Sequence, residues 1–121
     1  MTNPVTLIVG ASPNPERYSF LATSLLVEKG HPVYPFGIKK GEIEKTAILL
    51  DWPANKNIDT VTLYVGPEGQ KQYYNAILDL GPRRIIFNPG TENPELVQLA
   101  KTKGIETLEA CTLVLLKTGQ Y

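Results

Sequence analysis

Near the start of the chain, Gly10-Ala11-Ser12 is followed, after a short polar stretch, by Arg17 and Ser19, a set of residues suited to holding an anion. Glycine accepts backbone angles that other residues resist, so a loop opening on Gly10 can turn sharply and present amide N–H groups and the Ser12 hydroxyl ahead of a helix. The amino end of a helix carries partial positive charge and unpaired N–H groups, which is where phosphates bind. Arg17 adds a permanently charged, two-pronged donor that matches phosphate oxygens, and Ser19 adds a hydroxyl in the first helical turn. In the minimal alternative Gly10 only makes the turn, Ser19 only caps the helix and Arg17 is solvated.

A second basic pair, Lys39-Lys40, follows Phe36-Gly37-Ile38. An NAD site would need G-x-G-x-x-G and an acid about 20 residues further on for the ribose hydroxyls. Here Ser12 and Pro15 stand where those glycines would be, and the second strand ends without an acid. A phosphorylated ribose, as in CoA or NADP, suits the two lysines, and so does plain solvation. His31, the one histidine, is expected in a turn at the far end of the sheet, away from catalysis, and Cys111 sits in an apolar stretch where an inert thiol is the common case. One histidine and one cysteine cannot build a zinc site. Tyr64, Tyr73 and Tyr74 read as packing residues, with Tyr64 close enough to the expected crevice to stack on a base, and Trp52 reads as an anchor.

Strands and helices in alternation must position these groups. Val5–Val9 is a continuous apolar, β-branched run, the pattern of a strand buried on both faces of a parallel sheet. Ser19–Lys29 carries Leu21 with Leu25 and Ala22 with Leu26 at helical spacing and stops at Gly30. Pro32–Phe36 reads as a second strand, Ala47–Leu50 as a short third and Trp52–Asn55 as a turn. Thr60–Val65 is a strand by composition, followed by a helix with Tyr73, Ile77 and Leu80 on one face and closed by Gly81-Pro82. Arg84–Phe87 is the next strand, and Asn93-Pro94-Glu95 opens a helix with a cap, a first-position proline and a favourable charge, with Leu96, Leu99 and Ala100 inward. Ile105–Leu108 predicts a last strand, and Ala110, Leu113 and Val114 a short terminal helix. The rhythm predicts one Rossmann-like α/β domain over residues 1–121, doubly wound, with a mostly parallel five- to six-stranded sheet and helices on both faces. Ligands in such folds bind beyond the carboxyl ends of the strands, which points to the loops at 10–19, 36–40, 65–68 and 88–93.

The 121 residues suffice for one such layered domain. Twelve basic residues balance twelve acidic ones, which removes the broad positive field that nonspecific nucleic-acid or acidic-membrane binding uses. The lone cysteine excludes an internal disulfide, no secretory signal is evident, and no apolar run approaches the roughly 20 residues of a membrane span. A cytoplasmic protein with a small-molecule ligand is expected; a homo-oligomer and a partner subunit are both open, and the sequence does not fix the oligomeric state.

These residues resemble the CoA-binding domain family, the Rossmann-like module also found at the start of the succinyl-CoA synthetase α subunit. The likeness covers nearly the whole chain and is most specific in Ile8–Arg17, with further matches in Gly30–Pro35, Gly41-Glu42-Ile43, Asn93–Ala100 and Gly104-Ile105. The resemblance implies that the family's phosphate-holding loop maps onto Gly10, Ser12, Pro13, Arg17 and Ser19, and the adenosine-flanking strand ends onto Pro35, Phe36, Val65 and Pro67. Gly37-Ile38 departs from an Asn-Pro pattern after the second strand. Phe87-Asn88-Pro89-Gly90 departs from a tryptophan-glutamine-glycine pattern, keeping Gly90 and offering Asn88 for an amide contact. The resemblance implies non-catalytic binding of CoA or an acyl-CoA; a small NADP-dependent reductase and a ligand-free interaction subunit are the alternatives. The histidine-bearing domain used in ligase chemistry has no counterpart in a chain of this length.

Overall fold

The computed structural model describes residues 3–121; the first two residues, with which the expected domain span begins, lie outside the described residues. Five strands, β1 (Thr6–Val9), β2 (Val33–Phe36), β5 (Thr60–Leu63), β6 (Arg84–Phe87) and β7 (Glu106–Glu109), form one sheet in the order β2-β1-β5-β6-β7, every pair parallel. The chain leaves β1 toward β2 on one side and returns to β5 on the other, so the order reverses at β1. This is the doubly wound arrangement the alternation of elements predicts.

Side chains alternate across the sheet and bury two separate layers. Leu7 and Val9 of β1 join Val61, Leu63, Ile85 and Phe87 beneath α3 (Tyr74–Leu80) and α4 (Pro94–Thr102). Ile8 points the other way, to Ala22 and Leu26 of α1 (Tyr18–Glu28) and Leu116 of α5 (Thr112–Lys117). Every residue of β1, β5 and β6 is buried, and the polar ones among them are Thr6, Thr60, Thr62 and Arg84, whose Nε donates to Thr60 Oγ1 at 2.9 Å. Pro35 is tolerated because β2 is an edge strand.

Several expectations need correction. Ala47–Leu50 is not a third strand of the sheet: Thr46–Ala47 (β4) pairs antiparallel with Glu42–Ile43 (β3), and only Leu49 touches the sheet, bridging to Phe36 at the end of β2. The hairpin turn places Glu44 and Lys45 at φ 49° and 65°, positions where Gly or Asn would have announced it. In α1 the buried stripe is Ser19, Ala22, Thr23 and Leu26, and Leu21 lies exposed. Thr23 can face inward because its hydroxyl donates to the Ser19 carbonyl at 2.8 Å. The helix after β5 is broken into α2 (Pro67–Gln70), a 3-10 turn (Lys71–Tyr73) and α3. In α5 the inward residues are Thr112 and Leu116, while Val114 is exposed. Asn93 caps α4 as expected, its Oδ1 accepting from the amides of Glu95 and Leu96.

Candidate functional site

One cavity of about 510 Å³ opens at the carboxyl ends of β1, β2, β5 and β6, beside the point where the strand order reverses. Nine expected site residues line it: Gly10, Ala11, Ser12, Pro13, Arg17, Ser19, Phe36, Lys39 and Val65. Pro35, Lys40, Pro67, Asn88 and Gly90 are not brought to it. Tyr64, expected close to the crevice, also lines it, and the residues that sequence reasoning missed are Tyr18, Gly37, Ile38, Tyr73, Pro89 and Thr91. Most of these lie in or beside the loops predicted from strand ends. Tyr73 escaped because the 3-10 turn swings it out of the continuous helix in which it was expected to pack.

Gly10 is required on two counts. Its φ is 101°, and a Cβ there would stand 2.9 Å from Val65 Cγ1. Its amide and that of Ala11 do not face a ligand, however, since both donate to the Phe36 carbonyl, at 3.0 and 2.8 Å. The strand-end amides expected to hold a phosphate therefore tie β1 to β2 instead. Free donors lie one step further along. Among the described residues, the Ser12 amide has no partner, and the Ser12 hydroxyl accepts from Asn14 N at 3.1 Å, which leaves its proton available. Asn14 Oδ1 in turn accepts from Glu16 N at 3.0 Å, and Asn14 O accepts from Arg17 N, which folds the loop into a compact turn. Arg17 is the cap residue of α1 but makes no side-chain capping bond, so the first-turn amides of Tyr18, Ser19 and Phe20 stay open.

Arg17 and Lys39 are the charged residues on the cavity wall, and no carboxylate lines it. The positive helix end and two cations therefore act together on whatever enters. Aromatic groups also line the cavity. Phe36 and Tyr73 meet edge to face at 5.5 Å, and Trp52 stacks on Tyr73 and abuts Phe36 from behind. The Tyr64 ring also lines the cavity, but its hydroxyl is buried without a partner, and burial pushes its pKa far above the ordinary tyrosine value.

Two buried amides set the walls. Gln70 Nε2 donates to Val65 O at 2.9 Å and to Thr91 O at 2.8 Å, joining two cavity loops, and its Oε1 accepts from Asn93. Asn88 is not a ligand contact. Its Nδ2 donates to Thr62 Oγ1 and Leu63 O and its Oδ1 accepts from Thr112 N, which uses the side chain entirely in joining β5, β6 and α5. His31 lies at the opposite edge of the sheet, edge-on to Tyr121, and Cys111 is a half-buried cap of α5. Among the described residues no group of His, Cys, Asp or Glu is arranged to hold a metal, and no helix is long and apolar enough to cross a membrane.

An all-parallel doubly wound sheet with a cavity at its switch point defines a Rossmann-like domain. The chain belongs to the CoA binding domain family, which it matches over residues 5–117. It is similar to the crystal structure of an uncharacterized protein at 45% identity, with a TM-score of 0.95 and 100% of both chains covered. It is also similar to a hypothetical protein from Pyrococcus horikoshii OT3, at 25% identity and a TM-score of 0.86, over 96% of this chain and 83% of that one. A conserved hypothetical protein from Pyrococcus furiosus is 26% identical, with a TM-score of 0.79, over 92% of this chain and 97% of that one. No curated protein matches the chain. The family supports a CoA-type ligand and gives no support to the NADP alternative.

Proposed function

We propose that this chain binds CoA or an acyl-CoA and performs no chemistry on it. The observation that carries the reading is the convergence of unpaired donors and positive charge at one end of the cavity: the Ser12 amide and hydroxyl, the uncapped first turn of α1, and Arg17. A diphosphate supplies the acceptors and the negative charge that this set lacks. The mode of binding is that of a phosphate loop of the succinyl-CoA synthetase type, displaced by two residues from the strand end because Gly10 and Ala11 are already bonded. The aromatic wall of Phe36 and Tyr73 receives the adenine, and Lys39 neutralises the phosphate on the ribose.

The composition of the wall supports a non-catalytic role: among the described residues no histidine, cysteine, aspartate or glutamate lines the cavity. The single unpaired cysteine leads us to place the protein in the cytoplasm. Calorimetric titration of the full chain with CoA, 3′-dephospho-CoA and NADPH tests the reading. Binding of CoA is expected, weakened when the 3′-phosphate is missing; NADPH binding with no response to CoA would overturn it.

A further inference from the structure

The 3-10 turn Lys71–Tyr73 interrupts the helix after β5 and carries Tyr73 to the cavity. The residues on either side of this turn are tied to one side chain. Gln70, the last residue of α2, accepts through Oε1 from Asn93 Nδ2 at 2.8 Å. The hydroxyl of Tyr74, the first residue of α3, accepts from the same Nδ2 at 2.8 Å. An amide nitrogen carries two hydrogens, and Asn93 uses both in this way. One buried side chain, 4% exposed, therefore spans the turn from end to end.

The orientation of that amide is forced by its neighbours. Asn93 Oδ1 accepts from the amides of Glu95 and Leu96, which can only donate, so Nδ2 must point to Gln70 and Tyr74. Gln70 Nε2 is committed to the carbonyls of Val65 and Thr91, which can only accept, so its Oε1 faces Asn93. Tyr74, having accepted from Asn93, donates its own proton to Glu95 Oε1 at 2.9 Å. A series satisfied in this way specifies a single arrangement. Capping α4 needs only the oxygen of Asn93, and aspartate caps a helix equally well. The two bonds from Nδ2 are therefore surplus to capping. Tyr73 between them is placed by the backbone of the turn and by ring contacts with Phe36 and Trp52.

Resting on the reading above, in which Phe36 and Tyr73 receive the adenine, we propose that Asn93 is a positioning residue for the ligand: it clamps the 3-10 turn and so holds the Tyr73 ring ready for the base. Asn93 does not line the cavity and acts through Tyr73. A ring already in place costs nothing to order when the nucleotide arrives, whereas a loosened turn must be ordered at the expense of affinity.

Asn93→Asp separates the clamp from the cap, because aspartate keeps the capping oxygen and replaces the donating nitrogen by a second acceptor. Calorimetric titration of the full chain with CoA and near-ultraviolet circular dichroism of the free protein read the consequences. CoA affinity is expected to fall by about two- to tenfold at about pH 7.5, the fold-change equivalent to one neutral hydrogen bond. The dichroism of the stacked Trp52 and Tyr73 should change, while the far-ultraviolet spectrum stays that of a folded chain. Protonation of the new carboxyl restores one donor, so the ratio of variant to wild-type affinity should climb toward unity as pH falls to about 5. Lys71 and Glu95, the charges that act on Tyr74, are common to both proteins, so this ratio isolates the new group. A lost cap or a general loosening would not produce that profile. Tyr74→Phe removes one end of the clamp and leaves the cap intact; a smaller loss in the same direction is expected, and this variant decides alone where Asn93→Asp does not fold. Unaltered CoA affinity in both variants, or a loss in Asn93→Asp that pH does not move, overturns the positioning role. Failure of the wild type to bind CoA overturns the parent reading instead, and the free variants then decide the clamp by themselves: unchanged near-ultraviolet dichroism in both refutes it.

Discussion

A Cβ built on Gly37 would lie 2.2 Å from the carbonyl oxygen of Ala11, closer than any side chain can approach a backbone. The loop after β2 and the loop after β1 are therefore packed main chain against main chain, and the same stretch carries Phe36 and Ile38 to the cavity. Gly37→Ala must push these loops apart. We expect a loss of about 1–3 kcal/mol in folding stability, the usual cost of overpacking, read from urea unfolding. Weaker CoA binding should accompany it. A variant as stable as the wild type would mean that the loops part easily.

Arg17 is exposed and forms no ion pair or side-chain hydrogen bond among the described residues. Its replacement should therefore be felt by a ligand and not by the fold. Arg17→Ala is expected to weaken CoA binding by about 1.5–3 kcal/mol, the range for a hydrogen bond to a charged group, with an unchanged thermal midpoint of the free protein. Calorimetry paired with a melting curve separates the two effects.

Gln70 has the opposite character, being fully buried with every polar atom of its side chain engaged. Leucine in its place leaves the carbonyls of Val65 and Thr91 and the amide of Asn93 facing an apolar group. Gln70→Leu should cost roughly 2–4 kcal/mol, since buried groups stripped of partners keep their desolvation penalty. Hydrogen exchange should show faster opening around residues 65–70 and 88–93.

Trp52 is the chain's one tryptophan, and it touches Phe36 and stacks on Tyr73, both cavity-lining residues. Intrinsic fluorescence should therefore change in intensity when CoA enters, and saturate at the stoichiometry found by calorimetry. Tyr73→Ala should abolish most of that change.

His31 makes the folding stability depend on pH. Burial lowers its pKa, and the charges of Lys29 and Arg84 lower it further, from an ordinary value of 6.5. The unfolded chain then binds a proton more readily than the folded one, so stability falls as pH drops below 6.5 and levels off once the folded-state value is passed. Asp59 acts lower still. Burial raises its pKa, but hydrogen bonds from Arg83 and Thr60 outweigh this and the net shift is downward, so its contribution is present at neutral pH and is lost as pH falls through the depressed value. Urea midpoints from about pH 7.5 to about pH 5 should decline in the wild type and flatten in His31→Gln.

Much of this architecture was legible in the residues, and the exceptions share a cause. β1 and β6 declare themselves because strands buried on both faces are mostly apolar, as in Leu7-Ile8-Val9 and Ile85-Ile86-Phe87, and α4 does so because Asn93-Pro94-Glu95 is a chemical start signal. The hairpin at Glu42–Ala47 was hidden because two-residue strands have no periodicity and its turn lacks glycine. Leu21 and Val114 misled because α1 and α5 face inward through Ser19, Thr23 and Thr112, whose hydroxyls have buried partners or small size. At the site, residue types located the loop after β1 that lines the cavity. They did not reveal that Gly10 and Ala11 spend their amides on Phe36, or that Asn88 is wholly engaged by β5 and α5, because hydrogen-bond partners across a sheet are set by register and not by local sequence.

The Asn88 side chain has a kinetic consequence. By bonding β5 and the first residue of α5 at one buried point next to the cavity-lining Pro89, it ties these elements to the end of β6 before a guest arrives. Encounter should then be a single bimolecular step, with an observed rate that climbs linearly with ligand concentration and never reaches a plateau.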